Sequence, residues 1–285
     1  MPLPVFRRRS YLPLWLEVIV GGVARVLYRV RSSGTEHFPP TGGVLLIANH
    51  LSYVDVIVLA LACPRRVRFI GYIGLRGHEF FDWCYDVSGT IPISPERPRA
   101  GMKSVVAALR AGEVVVAFPE GQISRTGQLM EIKRGFELMA RQAGAPVVAA
   151  AIDGLWGSVF SFAGNKYLWK SPRLKPTPVF VAFGRPAEPG QANADWARRE
   201  LLDLGAAAFE ERPVLKRHLG RECVRSMTKR PGHVLVVDRT AARRPMTCAQ
   251  LYAVAAVLSR RIRATVPAQR VGTVMPPSAA AFIAK

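Results

Sequence analysis

The sequence predicts an α/β fold in which a mixed, largely parallel sheet is flanked by helices. Short, continuous apolar runs alternate with segments of helical periodicity, and glycine or proline separates many of them. Continuous apolar runs are typical of strands buried on both faces, and their alternation with helices favours a sheet covered on both sides. The chain has 285 residues, of which 49% are hydrophobic, so it is long enough for one large domain and part of another.

Residues 1–34 are predicted to form a basic, amphipathic N-terminal helix. Apolar residues recur at helical spacing from Leu12 to Val30, but Glu17, Arg25 and Arg29 interrupt them, which does not fit a confident membrane span. An interfacial helix that associates with an anionic membrane surface fits this pattern. A helix packed on the protein's own core is the alternative.

Residues 35–211 are predicted to form the main domain. Its predicted strands are Val44–Ala48, Val67–Gly71, Val87–Ile93, Val114–Phe118, Pro146–Ile152 and Pro178–Phe183. Its predicted helices are Val54–Cys63, Gly77–Tyr85, Ala100–Arg110, Arg134–Gln142 and Asp195–Glu211. Residues 153–177 carry Gly, Trp, Lys and Pro and are expected to run over the surface.

Residues 212–285 differ in composition from the rest. The formal net charge of the chain is +20, and +13 of it falls in this segment. Predicted here are helices at Leu215–Met227 and Cys248–Ile262 and strands at Val234–Asp238 and Arg270–Met275. We expect the incomplete start of a second domain.

The strong positive charge suits anionic lipid or acidic small molecules. We expect no nucleic-acid partner, because no zinc-finger spacing and no aromatic-basic sheet signature occurs. The four cysteines form no CxxC pair, which favours free thiols in a reducing compartment, and no metal is expected.

His50 and Asp55 are the predicted catalytic pair. The apolar run Val44–Ala48 ends just before His50, and Asp55 follows five positions later, where the next helix begins. A histidine can take a proton from an alcohol, and a carboxylate can fix its tautomer and stabilise its charged form. The alternative is a helix-capping box starting at Ser52, in which Asp55 satisfies only a backbone N–H.

A second motif, Phe118-Pro119-Glu120-Gly121, follows the most apolar strand. Open α/β sheets place ligand sites at such strand ends, and Gly121 would allow backbone to approach a ligand closely. An ordinary turn with a solvated Glu120 is the alternative.

Together, His50-x4-Asp55, Gly89-x-Ile91-x-Ile93, Phe118–Gly121 and Pro146-Val147-Val148 resemble the glycerolipid acyltransferase family over about residues 12 to 211. The resemblance implies direct acyl transfer from a thioester, acyl-CoA or acyl-[acyl-carrier-protein], to a lysophospholipid hydroxyl. His50 would be the general base, Asp55 its orienting partner, and Glu120 with Gly121 the acceptor-binding motif. No cofactor beyond the thioester co-substrate and no metal are implied.

Two arginines usual in family members that use lysophosphatidic acid are replaced here by Pro95 and Ile123. Arg97 and Arg125, each two residues further on, are the expected substitutes in acceptor binding. Because guanidinium groups suit a phosphate dianion, their loss favours a phosphodiester acceptor such as 2-acylglycerophosphoethanolamine. 1-Acylglycerol-3-phosphate is the alternative.

The segment from Glu120 to Gln128 is similar to that of bifunctional bacterial 2-acylglycerophosphoethanolamine acyltransferase/acyl-[acyl-carrier-protein] synthetases, and the tail is similar to the opening of their adenylate-forming domain. The basic N-terminus is consistent with a site at a membrane surface, and we expect the chain to be peripheral to, or shallowly inserted in, the cytoplasmic face of the cell membrane.

Two other classes stay open. One is a catalytically silent membrane- or carrier-protein-binding module. The other is an esterase that uses Ser52 or Ser124 as nucleophile, although no Gly-x-Ser-x-Gly elbow supports it.

Overall fold

The computed structural model describes residues 13–77, 79–94, 96–165, 176–238 and 244–265. These fall into two compact units, one ending at Arg212 and the other beginning at Pro213. Among the described residues, no helix combines the length and the apolar composition needed to cross a membrane.

The first unit confirms the predicted α/β architecture. Its strands are β1 (Tyr28–Ser33), β2 (Val44–Ala48), β3 (Val67–Tyr72), β4 (Ile91–Ile93), β5 (Val114–Ala117), β6 (Val147–Asp153) and β7 (Thr177–Phe183). Its α-helices are α1 (Leu14–Leu27), α2 (Asp55–Ala62), α3 (Glu79–Ser88), α4 (Pro98–Arg110), α5 (Gly135–Ala143) and α6 (Ala194–Glu210). Short 3-10 turns occur at Thr35–His37, Ile73–Leu75 and Ala163–Asn165.

The seven strands form one sheet in the order β1-β7-β6-β2-β5-β3-β4. Strands β6, β2, β5, β3 and β4 run parallel, whereas β7 is antiparallel to β6 and parallel to β1. The sheet is therefore mixed and largely parallel, and the carboxyl ends of β2, β5 and β6 meet at one edge.

The all-apolar sequence of β2 follows from its place at the centre of this sheet. Val44, Leu46 and Ala48 face a core that α2 closes. Leu45 and Ile47 face a second core, to which α4, α5 and α6 contribute. All five residues are fully buried, so both faces of the strand select apolar side chains.

Two predicted elements have wrong bounds. The N-terminal helix ends at Leu27, and Tyr28–Ser33 forms β1, paired in parallel with β7. The predicted strand Val87–Ile93 is only Ile91–Ile93, because Val87 and Ser88 still belong to α3. In the first case, Arg29 and Arg31 alternate with Tyr28 and Val30, and that period of two is typical of a strand.

The second unit contains α7 (Leu219–Lys229), α8 (Cys248–Thr265) and an antiparallel pair, β8 (Val234–Asp238) and β9 (Arg244–Thr247). Strand β9 was not predicted. The predicted strand Arg270–Met275 lies outside the described residues. The assignment of this unit to the start of an adenylate-forming domain stays a prediction.

Candidate active site

His50 and Asp55 lie together where β2 ends and α2 begins. His50 Nδ1 donates to Asp55 Oδ2 over 2.7 Å. Asp55 is fully buried, and 16% of the His50 side chain is exposed. Nδ1 is engaged, and no described residue hydrogen-bonds to Nε2, which is therefore the ring nitrogen left to exchange a proton with a substrate. This is the geometry of a base with a fixed tautomer.

The Asp55 carboxylate also fastens the loop that carries His50. Oδ2 accepts from the backbone N–H groups of Leu51 (2.6 Å) and Ser52 (2.9 Å). One Asp55 oxygen thus serves the imidazole and two backbone N–H groups at the helix entrance. The alternative in which Asp55 satisfies only a backbone N–H is therefore wrong, and the catalytic role of the pair stays a prediction. The Ser52 hydroxyl accepts from Val54 N at 3.3 Å. It does not cap α2, which begins without any side-chain cap.

Burial raises the pKa of the Asp55 carboxyl, and the hydrogen bond from His50, its charge and the two backbone N–H groups counteract this. A carboxylate that loses its hydration is costly unless it is paired and hydrogen-bonded. Asp55 therefore favours a positively charged partner, and it would stabilise His50 when the imidazole takes up a proton.

The buried Glu120 side chain links the loop of the second motif to the loop that carries His50. It is 2% exposed, Oε1 accepts from His50 N at 2.7 Å and Oε2 accepts from Met130 N at 2.8 Å. Burial raises the pKa of the Glu120 carboxyl, and the hydrogen bonds from Met130 and His50 oppose that rise. Glu120 thus positions the His50 backbone, while its predicted contact with the acceptor stays a prediction.

Phe118 and Asn49 complete the support of His50, and the sequence motifs gave neither residue a role. The Phe118 ring stacks on the imidazole with centroids 4.0 Å apart and planes 12° apart. Asn49 exchanges two hydrogen bonds with the backbone of Ile152, at 3.0 and 2.7 Å. The Asn49 side chain thereby ties the end of β2 to β6. The strand order is the signal that would have revealed both contacts.

Gly121 follows Glu120 with φ +72°, a conformation that favours glycine. Its N–H donates to Phe118 O at 2.9 Å, which closes a tight turn. The expected tight turn is present, whereas a close approach of its backbone to a ligand stays a prediction.

Arg125 and Arg97, the predicted substitutes in acceptor binding, occupy different places. The exposed Arg125 guanidinium lies over the Phe162 ring, 3.7 Å from its centroid. Arg97 is exposed at the start of α4, just after β4. β4 is three strands from β2, which corresponds to about 14 Å at the usual strand spacing. Pro95, which replaces one expected arginine, lies outside the described residues, and Ile123, which replaces the other, is buried.

Ser52 and Ser124, the nucleophiles of the esterase hypothesis, are both fully buried. Ser124 Oγ donates to Gln128 O and accepts from Gly127 N, each at 2.9 Å. Among the described residues, no three His, Cys, Asp or Glu side chains lie together as a metal site would require.

Residues 29–153 match the family model described as Acyltransferase. The acyltransferase family is thus supported for this stretch. It contains His50, Asp55, Glu120 and Gly121, so the geometry above lies within the matched residues.

Similar proteins carry a consistent name. The chain is 28% identical over 131 residues to a chloroplastic 1-acyl-sn-glycerol-3-phosphate acyltransferase of Arabidopsis thaliana, covering 45% of this chain and 36% of that protein. It is 28% identical over 148 residues to a 1-acyl-sn-glycerol-3-phosphate acyltransferase of Bacillus subtilis, covering 51% and 70%. It is 31% identical over 190 residues to the human 1-acyl-sn-glycerol-3-phosphate acyltransferase alpha, covering 62% and 63%. The chain thus spans little more than a third of the Arabidopsis protein and under two thirds of the human one.

The fold is similar to that of a crystal structure of a 1-acyl-sn-glycerophosphate acyltransferase from Thermotoga maritima. The TM-score is 0.51 at 17% identity, covering 70% of this chain and 81% of that one. At this identity the similarity bears on the fold alone.

Proposed function

We propose that this chain is an O-acyltransferase that moves a fatty acyl group from a thioester donor to the free hydroxyl of a lysophospholipid. The observation that carries the proposal is the 2.7 Å hydrogen bond between His50 Nδ1 and the buried Asp55, with Nε2 left open. The match of residues 29–153 to the acyltransferase family and the names of the relatives support it.

The reaction needs a group that accepts the hydroxyl proton, and that group must be held in a fixed orientation. The acceptor O–H gives its proton to His50 Nε2 as its oxygen bonds to the acyl carbon. Asp55 stabilises the resulting imidazolium. The tetrahedral adduct then collapses, the C–S bond breaks, and the proton passes from His50 to the departing thiolate of CoA or acyl carrier protein. The donor supplies the acyl group and the acceptor supplies the proton, so no atom of the protein is consumed.

For the acceptor, we propose 2-acylglycerophosphoethanolamine or a similar phosphodiester. The buried Ile123 supports this, because it stands where an arginine is usual in family members that use lysophosphatidic acid. The names of the relatives favour 1-acylglycerol-3-phosphate instead. If the acceptor is 2-acylglycerophosphoethanolamine, we also propose a fusion with an acyl-[acyl-carrier-protein] synthetase, of which residues 212–285 would be the start.

We further propose that the chain works at the cytoplasmic face of the cell membrane as a peripheral protein. Trp15, Ile19 and Val26 of α1 are more than half exposed, and the chain carries a net charge of +20. Exposed apolar residues beside basic ones suit an anionic bilayer surface. Sedimentation with anionic vesicles, but not with neutral ones, is the expected result.

A panel of donors and acceptors tests the central proposal. Purified protein is incubated with acyl-CoA or acyl-[acyl-carrier-protein] and with each lysophospholipid, and product is measured by radiolabel. We expect transfer with wild type and a loss of at least about a hundredfold for His50→Ala. Equal transfer by the variant would refute the mechanism. Vesicle binding without transfer from any donor would favour the silent binding module.

A further inference from the structure

Lys133 places a cationic side chain directly on the turn of the second motif. A Cβ atom built on Gly121 would lie 2.7 Å from Lys133 Nζ, 3.1 Å from Cε and 3.2 Å from Cδ. The end of the lysine stem therefore occupies the space that a side chain at position 121 would fill. Lys133 N donates to Pro119 O at 2.9 Å, which ties the lysine backbone to the same turn.

The charge of Lys133 is not neutralised within the described part of the chain. Its side chain is exposed, and no described carboxylate lies within ion-pair distance of it. Glu120, the adjacent acid, is buried and uses both oxygens on backbone N–H groups. Lys133 is thus available to an anion that approaches from solvent.

The turn beside Lys133 belongs to the loop whose residues contact His50. Phe118 stacks on His50, Glu120 holds the His50 backbone, and Gly121 comes next in sequence. An anion bound at Lys133 would therefore lie on the same strand-end edge as Nε2. Two other cations lie near this turn in sequence: Arg125 stacks on Phe162, and Arg134 stands at the start of α5.

We infer that Lys133 binds the phosphate group of the acceptor, as a specificity-determining residue of the proposed reaction. The inference rests on the proposed function. An ammonium group is a compact point charge with three donors and does not require the bidentate geometry of an arginine. It can therefore contact a phosphomonoester or a phosphodiester.

Kinetics with three acceptors test this contact. Lys133→Gln, Lys133→Arg and the control Arg134→Gln are compared with wild type on 1-acylglycerol-3-phosphate, lysophosphatidylethanolamine and monoacylglycerol, which lacks phosphate. For Lys133→Gln we expect KM to rise about tenfold for the phosphate acceptors, the size of one charge-assisted hydrogen bond. We expect kcat within about twofold of wild type, because the chemistry at His50 does not involve Lys133.

The controls separate recognition from folding. Lys133→Arg should recover most of the lost affinity, and Arg134→Gln, which changes the neighbouring exposed cation, should leave KM unchanged. The KM for monoacylglycerol should also stay unchanged in every variant. A larger rise with the phosphomonoester than with the phosphodiester would identify the dianion as the better partner of Lys133.

An unchanged KM for both phosphate acceptors would overturn the inference, and so would an equal rise for monoacylglycerol. Glycerol 3-phosphate binding, measured by calorimetry on the same variants, tests the contact between Lys133 and phosphate without requiring turnover. Weaker binding by Lys133→Gln alone supports the contact, and equal binding by all variants refutes it. Failure of wild type to transfer acyl groups would refute only the proposed function.

Discussion

Two neighbouring regions of the first unit are held in opposite ways. The His50 corner, formed by His50, Asp55 and Glu120, is largely buried. Asp55 Oδ2 pairs with His50 Nδ1 and with backbone N–H groups, and both Glu120 oxygens accept from backbone N–H groups. The cationic rim, formed by Lys133 and Arg125 on the loop of the second motif, is exposed. On the proposed function, proton transfer would depend on groups that the fold holds in place, whereas recognition of the acceptor would depend on solvent-facing side chains.

This contrast separates two kinds of kinetic effect. Changes in the His50 corner should lower kcat and stability, because they disturb positioned, buried groups. Changes in the rim should act mainly on KM, since exposed cations contribute binding that is the same in the ground state and the transition state.

The largest expected effect follows from Asp55→Asn. An asparagine can still accept a backbone N–H, but it no longer carries the charge that stabilises a protonated His50. We expect kcat to fall about a thousandfold with KM nearly unchanged. Steady-state kinetics, with circular dichroism to check the fold, measure this. A decrease below about tenfold would show that Asp55 only holds the loop of Leu51 and Ser52 in place.

Next in size is Glu120→Ala, which leaves the N–H groups of His50 and Met130 without their acceptors. We expect the free energy of unfolding to fall by about 2 kcal/mol, with a parallel loss of kcat as His50 shifts. Glu131→Ala, at an exposed glutamate of the same loop, is the matched control in urea denaturation. If both variants were equally stable, the positioning role of Glu120 would be excluded.

Glu120→Gln tests the same carboxylate through pH. Because burial raises the pKa of Glu120 above its ordinary value of 4.5, the folded state binds the proton more tightly than the unfolded one. The stability that Glu120 contributes is therefore fully present below the unfolded-state pKa and is lost as pH rises through the folded-state pKa. Urea titrations from 4.5 upward should show wild type losing stability relative to Glu120→Gln. A pH-independent difference would contradict the raised pKa.

The smallest expected effect is that of Arg125→Met. Arg125 is exposed and stacks on Phe162, so its removal should cost about 0.5 to 1 kcal/mol of stability. We expect KM for phosphate acceptors to rise by about threefold or less, well below the change in Lys133→Gln. A tenfold rise would instead make Arg125 the main phosphate contact, as a substitute for the arginine replaced by Ile123.

Some strands of the molecule could be predicted from its sequence and others could not. The central strand β2 was predicted residue for residue, because burial on both faces leaves a continuous apolar run that ends sharply at Asn49. The segment Tyr28–Ser33 was missed, because it directly continues the apolar spacing of α1 and its pairing with β7 is distant in sequence. Its alternating arginines were the local signal.

Within the site, the pairing of His50 with Asp55 was predictable because both lie on one short loop. The stacking of Phe118 on His50 depends on the adjacency of β2 and β5, which no local pattern encodes. The position of Lys133 depends on a glycine conformation twelve residues earlier. Contacts of this kind follow from the topology of the sheet, so the motifs indicated the base and its partner but not the groups around them.

The division between the His50 corner and the cationic rim is tested most directly by comparing His50→Ala with Lys133→Gln, with one thioester donor and one phosphate-bearing acceptor. The measurement is kcat and KM for each variant beside wild type. We expect His50→Ala to lose kcat by at least about a hundredfold at a similar KM, and Lys133→Gln to raise KM about tenfold at a similar kcat. Losses on the same parameter in both variants, or full activity of His50→Ala, would contradict this division.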